Sequence, residues 1–195
     1  VFPADDEHTA LWRELAGTRD VLTFGTGQHS LANVVANGVW HGDHWSITLR
    51  TPQGVITTTL AVPGQHNVMN AAAAVACAQS AGAPMEALAR GLAEFLPVKG
   101  RLQTHRVRLG STSVTLVDDT YNANPDSVRA AIDVLAAMPA PRWLVLGDMG
   151  EVGTQGDAFH AEVGAYARER GIESLWVVGQ MTQSTAQAFG RCRQF

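Results

Sequence analysis

The 195 residues carry 14 basic and 18 acidic side chains, a formal net charge of −4, with 46% hydrophobic and 16% charged residues. That balance excludes an intrinsically disordered chain, which lacks the apolar surface needed to offset the entropy of ordering. Basic and acidic residues number 6 and 8 up to Arg101, and 8 and 10 beyond it, so neither half holds a basic stripe for nucleic acid or anionic lipid.

The length suits one large domain or two small ones. Cys77 and Cys192 stand far apart with no second thiol or histidine at ligand spacing, which favours a reducing, cytoplasmic setting over a disulfide framework or a zinc site. No charged start precedes an apolar run, so no signal peptide is expected. The most apolar stretch, 71–78, consists of small residues and is too short to span a membrane. Val1 in place of an initiator Met predicts that the chain is part of something longer.

Asp5 or Asp6 is positioned to cap a helix reaching Gly17, with Leu11, Trp12 and Leu15 on its apolar face. A strand over 21–24 leads into Gly25-Thr26-Gly27-Gln28-His29-Ser30. This lacks the third glycine of a dinucleotide fingerprint and continues in the β-like Val34-Val35, so the motif fails its context. From Val34 to Val62 two-fold alternation broken by turns predicts antiparallel strands, with Trp45, Ile47 and Leu49 facing one way. His41 and His44 lie there without enough converging ligands for a metal, and read as surface histidines.

Pro63-Gly64-Gln65-His66-Asn67-Val68-Met69-Asn70 opens an Ala-rich helix ending at Gly82, with Asn67 as its expected cap. Asn70 and His66 are then surplus polarity on an apolar helix. Pro84 starts the next helix, with Met85, Leu88, Ala89, Leu92 and Phe95 on its core face. Pro97-Val98-Lys99-Gly100-Arg101-Leu102 reads as a linker. Beyond it a hairpin turns at Gly110-Ser111. Three βα units follow, with strands at 113–117, 143–146 and 175–178 and helices at 125–137, 157–170 and from 182. The fold class expected is α/β: an antiparallel region with two helices, then a mainly parallel, Rossmann-like sheet with helices on both faces.

Three polar clusters stand out. Asp118-Asp119-Thr120-Tyr121-Asn122-Ala123-Asn124-Pro125 joins a strand to a helix, where open α/β sheets hold ligands. Asn124 and Pro125 are explained as cap and first helical residue; Asp118, Asp119, Tyr121 and Asn122 are not, and an ordinary polar connection is the alternative. Gly147-Asp148-Met149-Gly150-Glu151 ends the neighbouring strand, with His160 facing it from the next helix or serving the fold alone. Asn70, Lys99 and Arg101 form the third, Arg101 being suited to phosphate through its bidentate fork. No Gly-x-x-x-x-Gly-Lys-Ser/Thr occurs: Lys99 is the only lysine, and Gly100 and Arg101 follow it.

The four segments 63–70, 97–102, 118–127 and 146–153, in that order, resemble the Mur ligase family. Tyr-Asn-Ala-Asn-Pro and Gly-Asp-Met-Gly-Glu are similar to the branch that adds D-Ala-D-Ala to a UDP-N-acetylmuramoyl-tripeptide. The resemblance implies the second half of a central ATPase domain (1–102) and most of a Rossmann-like C-terminal domain (103–195). It implies ATP and Mg2+ in the full-length enzyme, UDP-MurNAc-tripeptide and D-Ala-D-Ala as substrates, a monomer, and no nucleic-acid or membrane partner. By the same resemblance, Asn70 contacts adenine, Arg101 a phosphate, and Asp119 the ribose and metal-bound phosphates. Arg101 and Asp119 are the candidate catalytic pair. Tyr121, Asn122, Asn124 and, more weakly, His160 face the amine substrate. Asp118 and Asp148 are supporting carboxylates, Lys99 is linker, no metal ligand is expected in this chain, and closure over substrate hinges at Gly100-Arg101. Other readings are a sister amino-acid ligase, a folylpolyglutamate synthase, or a binding module without chemistry.

Overall fold

The computed structural model describes residues 1–190 and 192–194, the last three by backbone alone. Contacts divide the chain into two compact units, Val1–Pro97 and Val98–Phe195. Residues 98–102, read as linker from sequence, therefore pack with the second unit.

The first unit is a five-stranded sheet with helices. Its strands are β1 (Phe2–Pro3), β2 (Thr23–Thr26), β3 (Val34–Trp40), β4 (Trp45–Thr51) and β5 (Gly54–Leu60), in that spatial order. The first three run parallel, and β3, β4 and β5 are antiparallel. Alternation along β4 buries Trp45, Ile47 and Leu49 and leaves Thr48 and Arg50 exposed, as two-fold periodicity demands. Helix α2 (His66–Ser80) packs on this core through Val68, Ala71, Ala72, Val75 and Ala76. Its small residues bring the helix close to the sheet: a Cβ on Gly38 would lie 3.0 Å from Val68 Cγ2. Helix α3 (Met85–Ala93) follows, anchored by Leu88 and by Thr58 Oγ1 donating to Ala89 O at 2.7 Å.

Expectations for α1 and α3 are corrected. Helix α1 (Thr9–Ala16) begins later than read, because Asp6 folds a turn: its Oδ1 accepts from His8 N at 2.8 Å and its carbonyl from Thr9 Oγ1 at 2.7 Å. Leu11, Trp12 and Leu15 are exposed, so the apolar face of α1 is not core here. Phe95 lies past the end of α3 and is exposed.

The second unit begins with β6 (Gln103–Leu109) and β7 (Thr112–Asp118), an antiparallel pair. Helix α4 (Pro125–Ala136), β8 (Trp143–Gly147), α5 (Gly156–Glu169), β9 (Ser174–Val178), α6 (Thr182–Phe189) and β10 (Cys192–Gln194) complete it. The parallel sheet has the order β10-β9-β8, while β6 and β7 form their own ladder. Strand 113–117 is thus a hairpin arm and not, among the described residues, a member of the parallel sheet. Leu146, Leu175 and Val177 share one core with Val128 and Ile132 of α4, Val163 and Ala167 of α5, and Ala186 and Phe189 of α6. All three helices therefore cover one face. The opposite face carries exposed Trp143, Val145 and Val178, so helices on both faces are not seen among the described residues. Crossovers of one hand that advance in one direction put every helix on the same side.

Candidate functional site

The loop following β7 is tied to the segment 98–102. Arg101 N donates to Val98 O at 3.0 Å, closing a turn, and Tyr121 N donates to Gly100 O, also at 3.0 Å. Leu102 N donates to Asp119 Oδ1 at 3.1 Å. Gly100, at φ +74°, brings its backbone so close that a Cβ would sit 3.0 Å from Tyr121 N. The Arg101 guanidinium carbon lies 4.0 Å from the centroid of the Tyr121 ring. Arg101, Asp119 and Tyr121, singled out separately in the sequence, are thus one cluster within the second unit.

Gly100 and Arg101, the hinge expected from the sequence, are tied to Tyr121 within the second unit by a backbone bond and a ring contact.

The remaining loop residues divide by local bonding. Asp118 Oδ1 accepts from Thr120 Oγ1 at 2.7 Å and Thr120 N at 3.2 Å. Those bonds, the side-chain one foremost, hold the Asp118 carboxyl below its usual range, with His105 and Lys99 adding attraction. Asn122 Oδ1 accepts from Ala123 N at 2.9 Å, and the residue is exposed. Asn124 caps α4 in a reciprocal box: its Oδ1 accepts from Ser127 N at 2.9 Å, and Ser127 Oγ from Asn124 N at 3.0 Å. The carbonyl oxygen of Asn124 is thereby committed to the fold.

The loop after β8 is held by two side chains. Asp148 accepts from Gln180 N at 3.0 Å and Thr182 N at 2.9 Å, clamping the start of α6. Desolvation raises the Asp148 pKa, but the amides of Thr182, Gln180 and Met181, with His160 nearby, outweigh it and leave it lowered. The carboxyl presses on Gly179 (φ +128°), where a Cβ would lie 2.3 Å from it. Asp148 is a structural clamp here. His160 is fully buried; its Nε2 accepts from Met149 N at 3.0 Å and its Nδ1 bonds Gly156 O at 2.8 Å. Both ring nitrogens are occupied by backbone, which corrects the expectation that His160 faces a substrate. Ala123 and Met149 rest on one core, so both loops are seated on it.

Asn70 belongs to the first unit and is exposed. Its Nδ2 donates to Asn67 Oδ1 at 3.0 Å. Asn67 is not the cap: Gln65 holds that position without a side-chain bond, and Asn67 Nδ2 donates to Pro63 O at 2.7 Å. Lys99 is exposed. Among the described residues no three of His, Cys, Asp and Glu converge to hold a metal ion, and no helix is long and apolar enough to cross a membrane. His41 and His44 stack on each other at 5.1 Å.

Sequence reasoning missed Thr120 and the amides of Gln180 and Thr182. A glycine ahead of a helix, Gly179, was the only available signal for the latter, since backbone donors leave no residue signature.

Residues 1–78 match the Mur ligase middle domain and residues 100–193 the Mur ligase glutamate ligase domain. The chain belongs to the Mur ligase family, whose two successive domains it carries in order. It is 37% identical over 191 residues to the UDP-N-acetylmuramoyl-tripeptide–D-alanyl-D-alanine ligase of Escherichia coli (strain K12), covering 97% of this chain and 41% of that protein. It therefore spans less than half the length of that curated relative. Among solved structures, MurF from Acinetobacter baumannii superposes with a TM-score of 0.87 at 32% identity, over 99% of this chain and 41% of that one. MurF ligase from Thermotoga maritima in complex with ADP gives 0.75 at 23% identity, over 94% and 41%, a likeness of fold.

Proposed function

We propose that this chain is the part of a D-Ala-D-Ala-adding Mur ligase that carries one side of the ATP site and the amine-substrate domain. The carrying observation is the 37% identity to the Escherichia coli D-alanyl-D-alanine ligase over 97% of the chain. In this reading a carboxylate oxygen of UDP-MurNAc-tripeptide displaces ADP from the γ-phosphoryl group of ATP. The amine of D-Ala-D-Ala then attacks the acyl phosphate, loses a proton, and expels phosphate. Such chemistry depends mainly on positioning and charge neutralisation.

The residues here bind and orient. Asn70, exposed at the first turn of α2, contacts adenine. Arg101 directs its fork at a phosphate, and Asp119 holds the ribose side from the same cluster, so these two are the catalytic candidates. Tyr121 and Asn122 flank the amine substrate; Asn124 does so only through its amide nitrogen. Mg2+ belongs with phosphates bound by the complete ligase, and no step is assigned to a metal held by this chain. The absence of a P-loop lysine makes the 195 residues inactive alone. A reaction built on nucleotide-linked precursors, together with free Cys77, supports a cytoplasmic enzyme of peptidoglycan precursor synthesis, and a monomer belongs to the same reading.

The test is the coding sequence upstream of Val1 and the protein it encodes. A Gly-x-x-x-x-Gly-Lys-Ser/Thr segment there, with phosphate release requiring ATP, UDP-MurNAc-tripeptide and D-Ala-D-Ala, is expected. Turnover with a diamino acid or glutamate in place of the dipeptide would overturn the substrate assignment.

A further inference from the structure

Two arginines of the second unit lie over tyrosine rings, and they differ in one respect. Arg129, 5.8 Å from the Tyr166 ring, is paired with Glu162 and sits 3.8 Å from Asp126. Arg101, 4.0 Å from the Tyr121 ring, forms no ion pair among the described residues, although Asp119 stands beside it with Oδ1 bonded to Leu102 N. The charge of Arg129 is neutralised, whereas that of Arg101 is held in place by a neutral ring. A guanidinium stacked by its face keeps its N–H edges available, whereas a carboxylate partner would occupy them. Tyr121 is 64% exposed and contributes nothing to the core, so its ring has no packing duty that competes with this one.

We propose that Tyr121 is a positioning residue for Arg101: its ring holds the guanidinium over its face, leaving N–H groups for an anion of the phosphate class. The backbone bond from Tyr121 N to Gly100 O sets the two residues in register, and the glycine allows that approach. Tyr121 thus acts through Arg101 in addition to flanking the amine substrate. The inference rests on the reading of Arg101 as phosphate-directed.

The experiment has two arms. In the full 195-residue chain, NMR of the Arg101 Nε–Hε group should show a ring-current shift that Tyr121→Phe keeps and Tyr121→Leu abolishes, with an unchanged thermal melt. A resonance unaltered by Tyr121→Leu overturns the proposal. In the complete ligase carrying this chain, Tyr121→Leu should lower kcat by about two- to fivefold, the scale of one exposed cation–π contact, whatever accompanying change it makes in KM for D-Ala-D-Ala. Tyr121→Phe should restore kcat towards the parent value. A rise confined to KM for D-Ala-D-Ala overturns the proposal. Arg101→Ala separates the two readings. If it leaves kcat intact, the phosphate role of Arg101 fails; if it lowers kcat while Tyr121→Leu does not, the positioning role alone fails.

Discussion

Leu102 donates its backbone N–H to Oδ1 of Asp119 at 3.1 Å, from a left-handed conformation (φ +50°) that a non-glycine residue seldom adopts. The bond and the burial of the Leu102 side chain hold this strained residue where Arg101 precedes it. Asp119→Ala should lower unfolding stability by about 1 kcal/mol, measured by urea titration, since the donor is partly buried. Asp119→Asn keeps an acceptor oxygen and should cost less. In the complete ligase both should depress turnover more than tenfold, estimated roughly from the loss of one charged group at a phosphoryl-transfer site. An Asn variant with parental turnover would remove Asp119 from the chemistry and leave it only its structural bond.

Gly164 lies where α5 meets α6, and an added Cβ would come within 2.2 Å of Thr185 O and 2.9 Å of Thr185 C. Backbone cannot yield as a flexible side chain does. Gly164→Ala should therefore destabilise by about 1–3 kcal/mol despite the better helix propensity of alanine. Denaturant midpoints of the two proteins check this; equal midpoints would mean that the helices can separate without cost.

His160→Ala should leave Met149 N without its acceptor in a buried setting and open a void, costing about 2–4 kcal/mol. Hydrogen exchange at the Met149 amide should accelerate by the corresponding factor, while the Leu102 amide exchanges as before. A protected Met149 amide in the variant would show that the loop after β8 is held by Asp148 alone.

Glu173 accepts from Arg142 N at 2.7 Å, Nη2 at 2.9 Å and Nε at 3.2 Å. The side-chain bonds to Arg142, then the backbone one, lower its pKa from 4.5 to about 2. A carboxyl depressed on folding stabilises above its unfolded pKa, and that contribution is lost as pH falls through the folded value. The stability difference between the parent and Glu173→Gln should be constant above about pH 5 and vanish towards pH 2. A difference that persists unchanged at pH 2 would contradict the shift.

The sequence was informative where side chains speak for themselves. Alternation exposed β4, and the Asn124-Pro125 pair marked the start of α4, because both patterns are local. The grouping of Arg101 with Asp119 and Tyr121 was reachable only through family resemblance, since every one of its ties involves backbone atoms or a ring face. His160 was misread for the same reason: a buried imidazole serving two backbone groups carries the same letter as one facing a ligand. Leu11, Trp12 and Leu15 had the right spacing for a core face, but periodicity cannot say whether a neighbour is there to cover it.

The one-sided winding of β8, β9 and β10 has a practical side. Trp143, Val145 and Val178 give the bare side of the sheet an oily character, with Val145 69% exposed. Surfaces of this kind set colloidal behaviour more than folding stability does. Handled at high concentration, the chain is therefore expected to be limited by reversible clumping. Dye uptake and light scattering should fall together when Val145 and Val178 are replaced by threonine, while the melting temperature stays put.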